Sequence, residues 1–434
     1  MALHVMDEAN KCLGCPKPRC QQGCPIHTDI PNVIKLLKAG KIDDAGKKLF
    51  WNNPLTTVCS LVCDHEHQCE GHCVRGLKGT PVHFSVIENY ISTVYANKMD
   101  KVLKHTIDKK VAIVGSGPAG LTIAVQLARI GYDITIFEAR DKIGSMMRYG
   151  IPNFRLPDSV LDDFRYRHLE LKDIKIRPNT AIGKTLSIDD LFRDGYKAVF
   201  IGAGLMRAKS MGLKGESLGN VAFGIDFLAN PKGFKNLGTN IAVIGVGNSA
   251  MDCARMAIRR GARHVTCYAR KDESSVKASQ YEMSYAKIEG VDFRFMKTPV
   301  EIREDGLVCV DSVKNEDGTF SVSPGTETLY PHTGVIISVG QGGETFVTDG
   351  SKVGRSERGL LAVDENGATS QPGVFAAGDA VAGAKTVVAA VAAAKTVAEA
   401  MDRYLQSLPE DEPPRQDLPV FNEPTPDTLG EQII

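Results

Sequence analysis

From Lys110 onward, short β-branched runs alternate with amphipathic stretches of helical period, which predicts parallel strands joined by helices. Two strand–helix–strand units in this region share a plan. Val111–Val114 predicts a strand, Gly115-Ser-Gly-Pro-Ala-Gly120 a tight turn into a helix, Gly131 its end, and Asp133–Phe137 a second strand closed by Glu138. Ile241–Ile244, Gly245-Val-Gly-Asn-Ser-Ala250, Gly261 and His264–Tyr268 repeat that order with the same spacing, so that Tyr268 falls at the position of Glu138. A third element, Val374-Phe-Ala-Ala-Gly-Asp379, precedes Gly383 and an Ala-rich helix from about Thr386. Upstream the alternation is missing. Residues 1–105 predict helical patches, among them Ile30–Ala39 and Val86–Val94, and the Lys-rich stretch Lys98–Lys110 reads as a solvated linker.

Charge narrows the possible partners. The 434-residue chain carries 52 Lys plus Arg against 52 Asp plus Glu, so no global field favours nucleic acid or an anionic membrane. No apolar run approaches the roughly 20 residues a membrane span requires. Met1–Lys11 includes Asp7 and Glu8 and lacks the apolar centre of a secretory signal, so a cytoplasmic protein is expected.

The glycine motifs supply chemistry. Gly115 permits the turn after the strand, Gly117 lets the backbone approach a pyrophosphate, and Gly120 allows close helix–strand packing. Ser116, Pro118 and Ala119 complete a loop whose phosphate would rest on the free N–H groups of the helix start. Glu138 can accept hydrogen bonds from ribose hydroxyls, the arrangement expected for FAD. In the second unit Gly245, Gly247, Asn248, Ser249 and Ala250 form the loop, with Tyr268 in place of the acid. No carboxylate then repels a 2′-phosphate, and Arg270, Lys271 and Lys277 follow, which favours NADPH and leaves NADH open. Gly378-Asp379, ahead of the helix opening at Thr386, can bring a carboxylate to a ribityl hydroxyl.

Eight of the eleven cysteines lie between Cys12 and Cys73. Cys12-x2-Cys15-x4-Cys20-x3-Cys24-Pro25 and Cys59-x3-Cys63-x5-Cys69-x3-Cys73 read as ligands of two [4Fe–4S] clusters. Two structural zinc sites are the alternative, and His27, His65, His67 and His72 fit zinc or a solvated surface equally. The redox argument favours clusters. A flavin releases electrons singly, and zinc cannot collect them.

These motifs, together with Tyr149-Gly-Ile-Pro-Asn-Phe-Arg-Leu-Pro157, give the chain a resemblance along essentially its whole length to the small subunit of NADPH-dependent glutamate synthase. It is equally similar to the electron-input half of dihydropyrimidine dehydrogenase and its separate bacterial subunit. The resemblance implies an α/β fold of two Rossmann-like nucleotide-binding domains, the second inserted in the first, preceded by an α-helical Cys-rich iron–sulfur domain. The divisions expected are 1–105 for the iron–sulfur domain, 106–232 and 341–434 for the two parts of the FAD-binding domain, and 233–340 for the NAD(P)H-binding domain. It further implies that Cys12, Cys15, Cys20 and Cys73 hold one cluster, and Cys24, Cys63 and Cys69 the other with Glu88 as fourth ligand. Cys59 is left a bystander. Gly144, Arg155, Leu205, Gly378, Asp379 and Thr386 are placed on the flavin side, and Gly340, Arg270, Lys271 and Lys277 with NADPH. Two departures are Ser145, where the family has a second glycine, and Ala269, where many relatives have an arginine.

The expected activity is electron input. NADPH or NADH reduces FAD, and single electrons leave through the clusters to a larger catalytic subunit in a hetero-oligomer, most simply that of glutamate synthase, alternatively that of a dihydropyrimidine dehydrogenase. A reading from another class is a zinc-bearing, non-catalytic redox-sensing or binding protein.

Overall fold

The computed structural model describes residues 2–98, 106–276 and 278–409. The amino-terminal part is helical: α1 (Ala2–Asn10), α2 (Ile30–Lys38), α3 (Ile42–Asn52), α4 (Thr56–Val62) and α5 (Phe84–Ala96). α2 shows why. Ile30, Val33, Ile34 and Leu37 recur at helical spacing and are all buried, packing with Leu49, Ile87 and Ile91 into a small core of their own.

Two parallel sheets follow. In the first, β1 (Ile107–Val114), α6 (Pro118–Ile130), β2 (Tyr132–Phe137), β3 (Lys175–Arg177) and β4 (Tyr196–Ile201) are right for their roles: Val111, Ile113, Ile134, Ile136 and Phe200 are fully enclosed, as strands covered on both faces require. The second contains β5 (Val221–Phe223), β6 (Asn240–Ile244), α7 (Asn248–Arg259), β7 (His264–Tyr268), α8 (Gln280–Ile288), β8 (Val291–Arg294) and β9 (Gly334–Ile337). An antiparallel set over residues 297–331 lies between β8 and β9. The chain then returns to the first sheet with β10 (Val374–Ala376) and the long helix α9 (Val387–Ser407). Strand orders are β10-β4-β1-β2-β3 and β5-β9-β6-β7-β8, so one plan is used twice, with the second sheet inserted between β4 and β10.

The crossing points are tied by a short antiparallel pair, Arg207–Ala208 with Gln341–Gly342. The insertion also starts earlier than residue 233, because β5 pairs with β9 in parallel from Val221 to Phe223. Three residues carry too little periodicity to reveal a strand in the sequence. Among the described residues, no helix is long and apolar enough to cross a membrane.

Candidate functional site: two nucleotide cradles and two thiol cages

In the first unit the loop after β1 is forced by its glycines. Gly115 adopts φ +95°, and a Cβ there would stand 2.6 Å from the Gly202 carbonyl oxygen. A Cβ on Gly120 would lie 2.0 Å from the Gly115 oxygen, so α6 can lean on β1 only without a side chain at that position. Gly117 caps α6 and Pro118 opens it, leaving the first N–H groups free to meet an anion. Glu138 is buried and is already drawn toward this loop. It accepts from the Ser116 N–H at 3.0 Å and the Arg140 N–H at 2.9 Å, and the Ser116 hydroxyl also bonds to it. A cleft of about 240 Å³ runs past Gly115, Glu138, Arg140, Ser145, Gly202 and Met206. The sequence reading did not include Arg140, Gly202 and Met206, although Gly202-Ala-Gly204 directly after the apolar run Ala198–Ile201 is a visible turn signal.

Gly144 (φ +116°) donates its N–H to the Ser116 oxygens, and Ser145 follows at φ +47°. A non-glycine residue with that backbone is strained. Small size alone therefore does not explain how serine replaces glycine there. Gly378 (φ +75°) brings Asp379 to the start of a short turn, where the carboxylate accepts from the Lys385 N–H at 3.1 Å. Burial pushes the Asp379 carboxyl up to about 6, against that opposing hydrogen bond. Thr386 caps α9 through the Ala389 N–H. Leu205 is buried under Gly343.

The second unit repeats the loop, with Gly245 at φ +128° against the Ser338 carbonyl and Gly247 capping α7. No atom lies within 4 Å of where a Cβ at Gly247 would be, an open approach at the helix start. Asn248 and Ser249 are exposed there, and the Asn248 carboxamide oxygen accepts from the Ser279 N–H at 2.9 Å. The third-glycine position is filled by Ala250, fully buried. Gly340 (φ +118°) receives the Lys209 N–H on its carbonyl at 3.3 Å.

The register corrects one expectation. Gly115 donates to the Phe137 carbonyl and Gly245 to the Tyr268 carbonyl, while Glu138 donates to Arg177 and Ala269 to Arg294. Tyr268 therefore matches Phe137, and Ala269 matches Glu138. The stretch from Gly261 to its strand end at Tyr268 is one residue longer than that from Gly131 to Phe137, which equal glycine spacing had concealed. Tyr268 is a core residue, its hydroxyl 2.8 Å from His332 Nε2. His332 Nδ1 lies 3.0 Å from Asn240 Oδ1, and burial pushes this imidazole down to about 4, so it is neutral: Nδ1–H donates to Asn240 and Tyr268 O–H donates to Nε2. The absence of a carboxylate at the β7 end holds on Ala269 instead. Arg270 is exposed just beyond, with Lys271 near the Phe320 ring at 5.8 Å; Lys277 lies outside the described residues.

Arg155, expected on the flavin side, faces the second unit. Its Nη1 donates to both Asp252 oxygens at 2.8 and 2.9 Å, and Nη2 pairs with Glu282 at 2.8 Å. Burial works against its charge, yet Asp252 and Glu282 hold its pKa above the usual arginine value. The buried carboxylate of Asp252 on α7 and the half-buried one of Glu282 on α8 share this counter-charge, and the result is an ion pair across the units.

The helical part gathers the thiols into two cages. Cys12, Cys15, Cys20 and Cys73 line one cavity beneath α2, with Cys69 reaching both this cavity and the second. Burial pushes the Cys20 thiol up to about 11, against the Gln21 N–H and aided by Cys73, Cys12 and Cys15. Cys24, Cys59, Cys63, Cys69 and Glu88 line the other, which also touches Val388 in the first turn of α9. Soft thiols converging in a buried pocket fit an iron–sulfur cluster in each cage. Glu88 is enclosed and accepts from the Thr56 hydroxyl at 2.7 Å. Two further groups share its cage: Cys59, fully buried one helical turn before Cys63, and His65, whose buried Nε2 has no hydrogen-bond partner among the described residues. Of the other histidines, His67 pairs with Asp64 at 2.9 Å, and His72 sits on the Gln68 carbonyl at 2.6 Å. His27 is exposed.

Two dinucleotide cradles on nested parallel sheets, with thiol cages against the first, define an oxidoreductase of the flavin and pyridine-nucleotide class. Comparison with known proteins agrees. Residues 109–394 match the pyridine nucleotide-disulphide oxidoreductase profile, with an overlapping match at 76–181, and the chain belongs to that family. Residues 2–100 match the profile described as dihydropyrimidine dehydrogenase domain II, 4Fe-4S cluster. The chain is homologous to the glutamate synthase [NADPH] small chain of Escherichia coli, 33% identical with 92% of this chain and 91% of the relative covered. It is equally homologous to the NAD-dependent dihydropyrimidine dehydrogenase subunit PreT of Escherichia coli O157:H7, at 33% over 93% and 95%. The fold is shared with Mycobacterium tuberculosis FprA, solved in complex with NADPH, at TM-score 0.59 and 18% identity over 69% of this chain and 85% of that one.

Proposed function

We propose that this chain is the electron-input subunit of a larger enzyme, taking electrons from NADPH or NADH and delivering them one at a time to a catalytic partner subunit. The observation that carries the reading is the position of Val388, which lines the second thiol cage two residues after Thr386, the cap of the helix that follows Gly378-Asp379. On this reading the flavin cradle and the second thiol cage meet at the first turn of one helix. Bound FAD accepts an electron pair from the nicotinamide and releases it singly, and iron–sulfur clusters carry single electrons.

The chain's own residues supply placement. The loop from Gly115 through Ser116, Gly117, Pro118 and Ala119 to Gly120 holds the FAD pyrophosphate at the start of α6, and Glu138 holds the ribose. Asp379 and Gly378 hold the ribityl chain, with Thr386 setting the start of α9 and Gly144 and Leu205 shaping the flavin's surroundings. Gly245, Gly247, Asn248, Ser249, Ala250 and Gly340 receive the NAD(P)H, with Arg270, Lys271 and Lys277 toward a 2′-phosphate. Arg155 ties the two cradles together. Cys12, Cys15, Cys20 and Cys73 hold one [4Fe–4S] cluster, and Cys24, Cys63, Cys69 and Glu88 hold a second. The nucleotide-binding division runs from about Arg207 to Gly342, wider than 233–340, between the two parts of the FAD-binding division.

The partner we favour is the large subunit of a glutamate synthase. The dihydropyrimidine dehydrogenase alternative is supported by Ala269, which withholds one cation from the NADPH site and suits NADH. Anaerobic purification tests the reading. Both flavin and about eight irons per chain are expected for two four-iron clusters, with bleaching by NADPH and a reduced-cluster spectrum in electron paramagnetic resonance. Zinc without iron, or no bleaching, overturns it. Glu88→Ala should halve the cluster signals and Cys59→Ser should leave them; the reverse result would make Cys59 the ligand. Reduction of an added glutamate synthase large subunit, against a dihydropyrimidine dehydrogenase catalytic subunit, separates the partners.

A further inference from the structure

At the far end of α6 from the pyrophosphate cradle, a cavity of about 330 Å³ opens between the iron–sulfur part and the first sheet. Thirteen residues of helix at 1.5 Å each put the two ends roughly 20 Å apart, so the cavity is no part of the flavin cradle. Its walls combine aromatic rings and cations. Arg129 in the last turn of α6 has its guanidinium carbon 4.3 Å from the Phe50 ring centre and 4.8 Å from that of Trp51, and Nη2 donates to the Phe50 carbonyl at 3.2 Å. Lys47 and Lys172 line the same space, and among the described residues no carboxylate does. His168 stacks on Phe50 with ring centres 4.4 Å apart.

Two polar atoms in this wall are buried without a hydrogen-bond partner among the described residues: Arg129 Nη1 and His168 Nδ1. His168 is only 5% exposed, and it sits in the π-helical stretch Arg165–Leu169, a distortion that occurs disproportionately at functional sites. Buried donors are normally satisfied, and a buried guanidinium normally has an anion. The charged groups that act on the His168 ring are Arg129, Lys172 and Arg167, all cations, and burial with their help pushes the imidazole down to about 3. A neutral imidazole still donates one N–H.

We propose that this cavity is a binding site for a planar aromatic anion, its carboxylate or phosphate received by Arg129 Nη1 and His168 Nδ1–H and its ring lodged beside Phe50 and Trp51. Because α3 supplies the rings and α6 the guanidinium, an occupant bridges the iron–sulfur part and the flavin-binding sheet.

Trp51 is the single tryptophan of the chain and is 56% exposed, so its fluorescence reports on the site directly. The holoprotein is titrated with benzoate and with adenosine 5′-monophosphate, and with cyclohexanecarboxylate and inorganic phosphate as controls. Saturable quenching by one or both aromatic probes is expected, benzoate alone marking a carboxylate site and the nucleotide alone a phosphate site. Arg129→Met should weaken it about tenfold, the scale of one charge-assisted hydrogen bond. Lys271→Ala, in the other cradle, should not change it. If Arg129→Met fails to retain flavin and iron, the rim variant Lys47→Ala/Lys172→Ala decides, with a several-fold loss expected. No saturable quenching, equal response to the controls, or affinity unchanged in the variants that fold would each overturn the site and leave a cavity filled by water.

Discussion

In the first dinucleotide unit α6 is pressed onto β1 so closely that position 120 has no room for a side chain, whereas in the second unit α7 stands off enough to bury the methyl of Ala250. In the first, the β2 end carries a buried carboxylate already bonded to the loop; in the second, the matching residue is Ala269. The strand orders are otherwise the same. The difference teaches how a repeated scaffold separates a resident ligand from a passing one. The first cradle is packed tightly and organised before anything binds. The second is looser, with an exposed loop and free cations at the strand end, as a substrate that must leave requires.

The largest expected effect comes from adding a methyl where the first unit forbids it. Gly120→Ala should destabilise the chain by about 3 kcal/mol and empty it of flavin, since the clash is with backbone. Ala250→Gly should cost about 1 kcal/mol, the helix propensity difference, and keep NADPH affinity. Thermal unfolding with flavin quantitation measures both, and equal losses would break the comparison. Next, Glu138→Ala leaves the Ser116 and Arg140 N–H groups without their acceptor and should weaken flavin binding by about 2 kcal/mol. The reciprocal change, Ala269→Glu, should move the ratio of kcat/KM for NADPH over NADH about tenfold toward NADH by repelling the phosphate. An unchanged ratio would mean that the β7 end does not read the ribose.

A smaller effect follows pH. Asp379 titrates near 6 in the flavin-free chain, above its unfolded value, so it contributes stability present below about pH 4 and lost as pH rises through about 6. Flavin binding has the opposite sign, because a ribityl hydroxyl donates to the ionised form. Affinity should fall about tenfold from pH 7 to pH 5, and Asp379→Asn should flatten the profile. The smallest change concerns Ser145. Ser145→Gly relieves the φ +47° backbone and should raise stability by about 0.5 kcal/mol, after the entropy a glycine adds to the unfolded chain. A loss would show that the serine side chain matters more than its backbone.

Much of this was legible in the chain. Glycines that need positive φ and a proline opening a helix constrain local geometry so strongly that the turns at Gly115, Gly117 and Gly120 could be read directly, whereas cysteine spacing alone paired the thiols by run, and only the resemblance put Cys73 with the first three and Cys24 with the later ones. What failed depended on distant partners. The extra residue after α7 shifts the β7 register, and only pairing with β6 reveals that Ala269, not Tyr268, stands at the position of Glu138. β5 is defined by its neighbour β9 and has too few residues to declare itself. Arg155 lies in a motif that points to flavin, but its partners Asp252 and Glu282 come from helices far along the chain. The presence of Cys59 and His65 in the second cage likewise depends on how α4 folds over α5.

The contact between Val388 and the second cage has a consequence for how the protein is made. On the proposed reading, a helix whose first turn rests on a thiol-lined pocket would lose a support with no cluster there, so metal loading and flavin retention would be thermodynamically linked. Flavin occupancy should therefore fall in step with iron content across preparations from iron-starved cells. A chain that misses its metal would then be recognisable to the cell's proteases as incompletely folded, and a defect in one assembly line would not leave behind a flavoprotein able to leak electrons to oxygen.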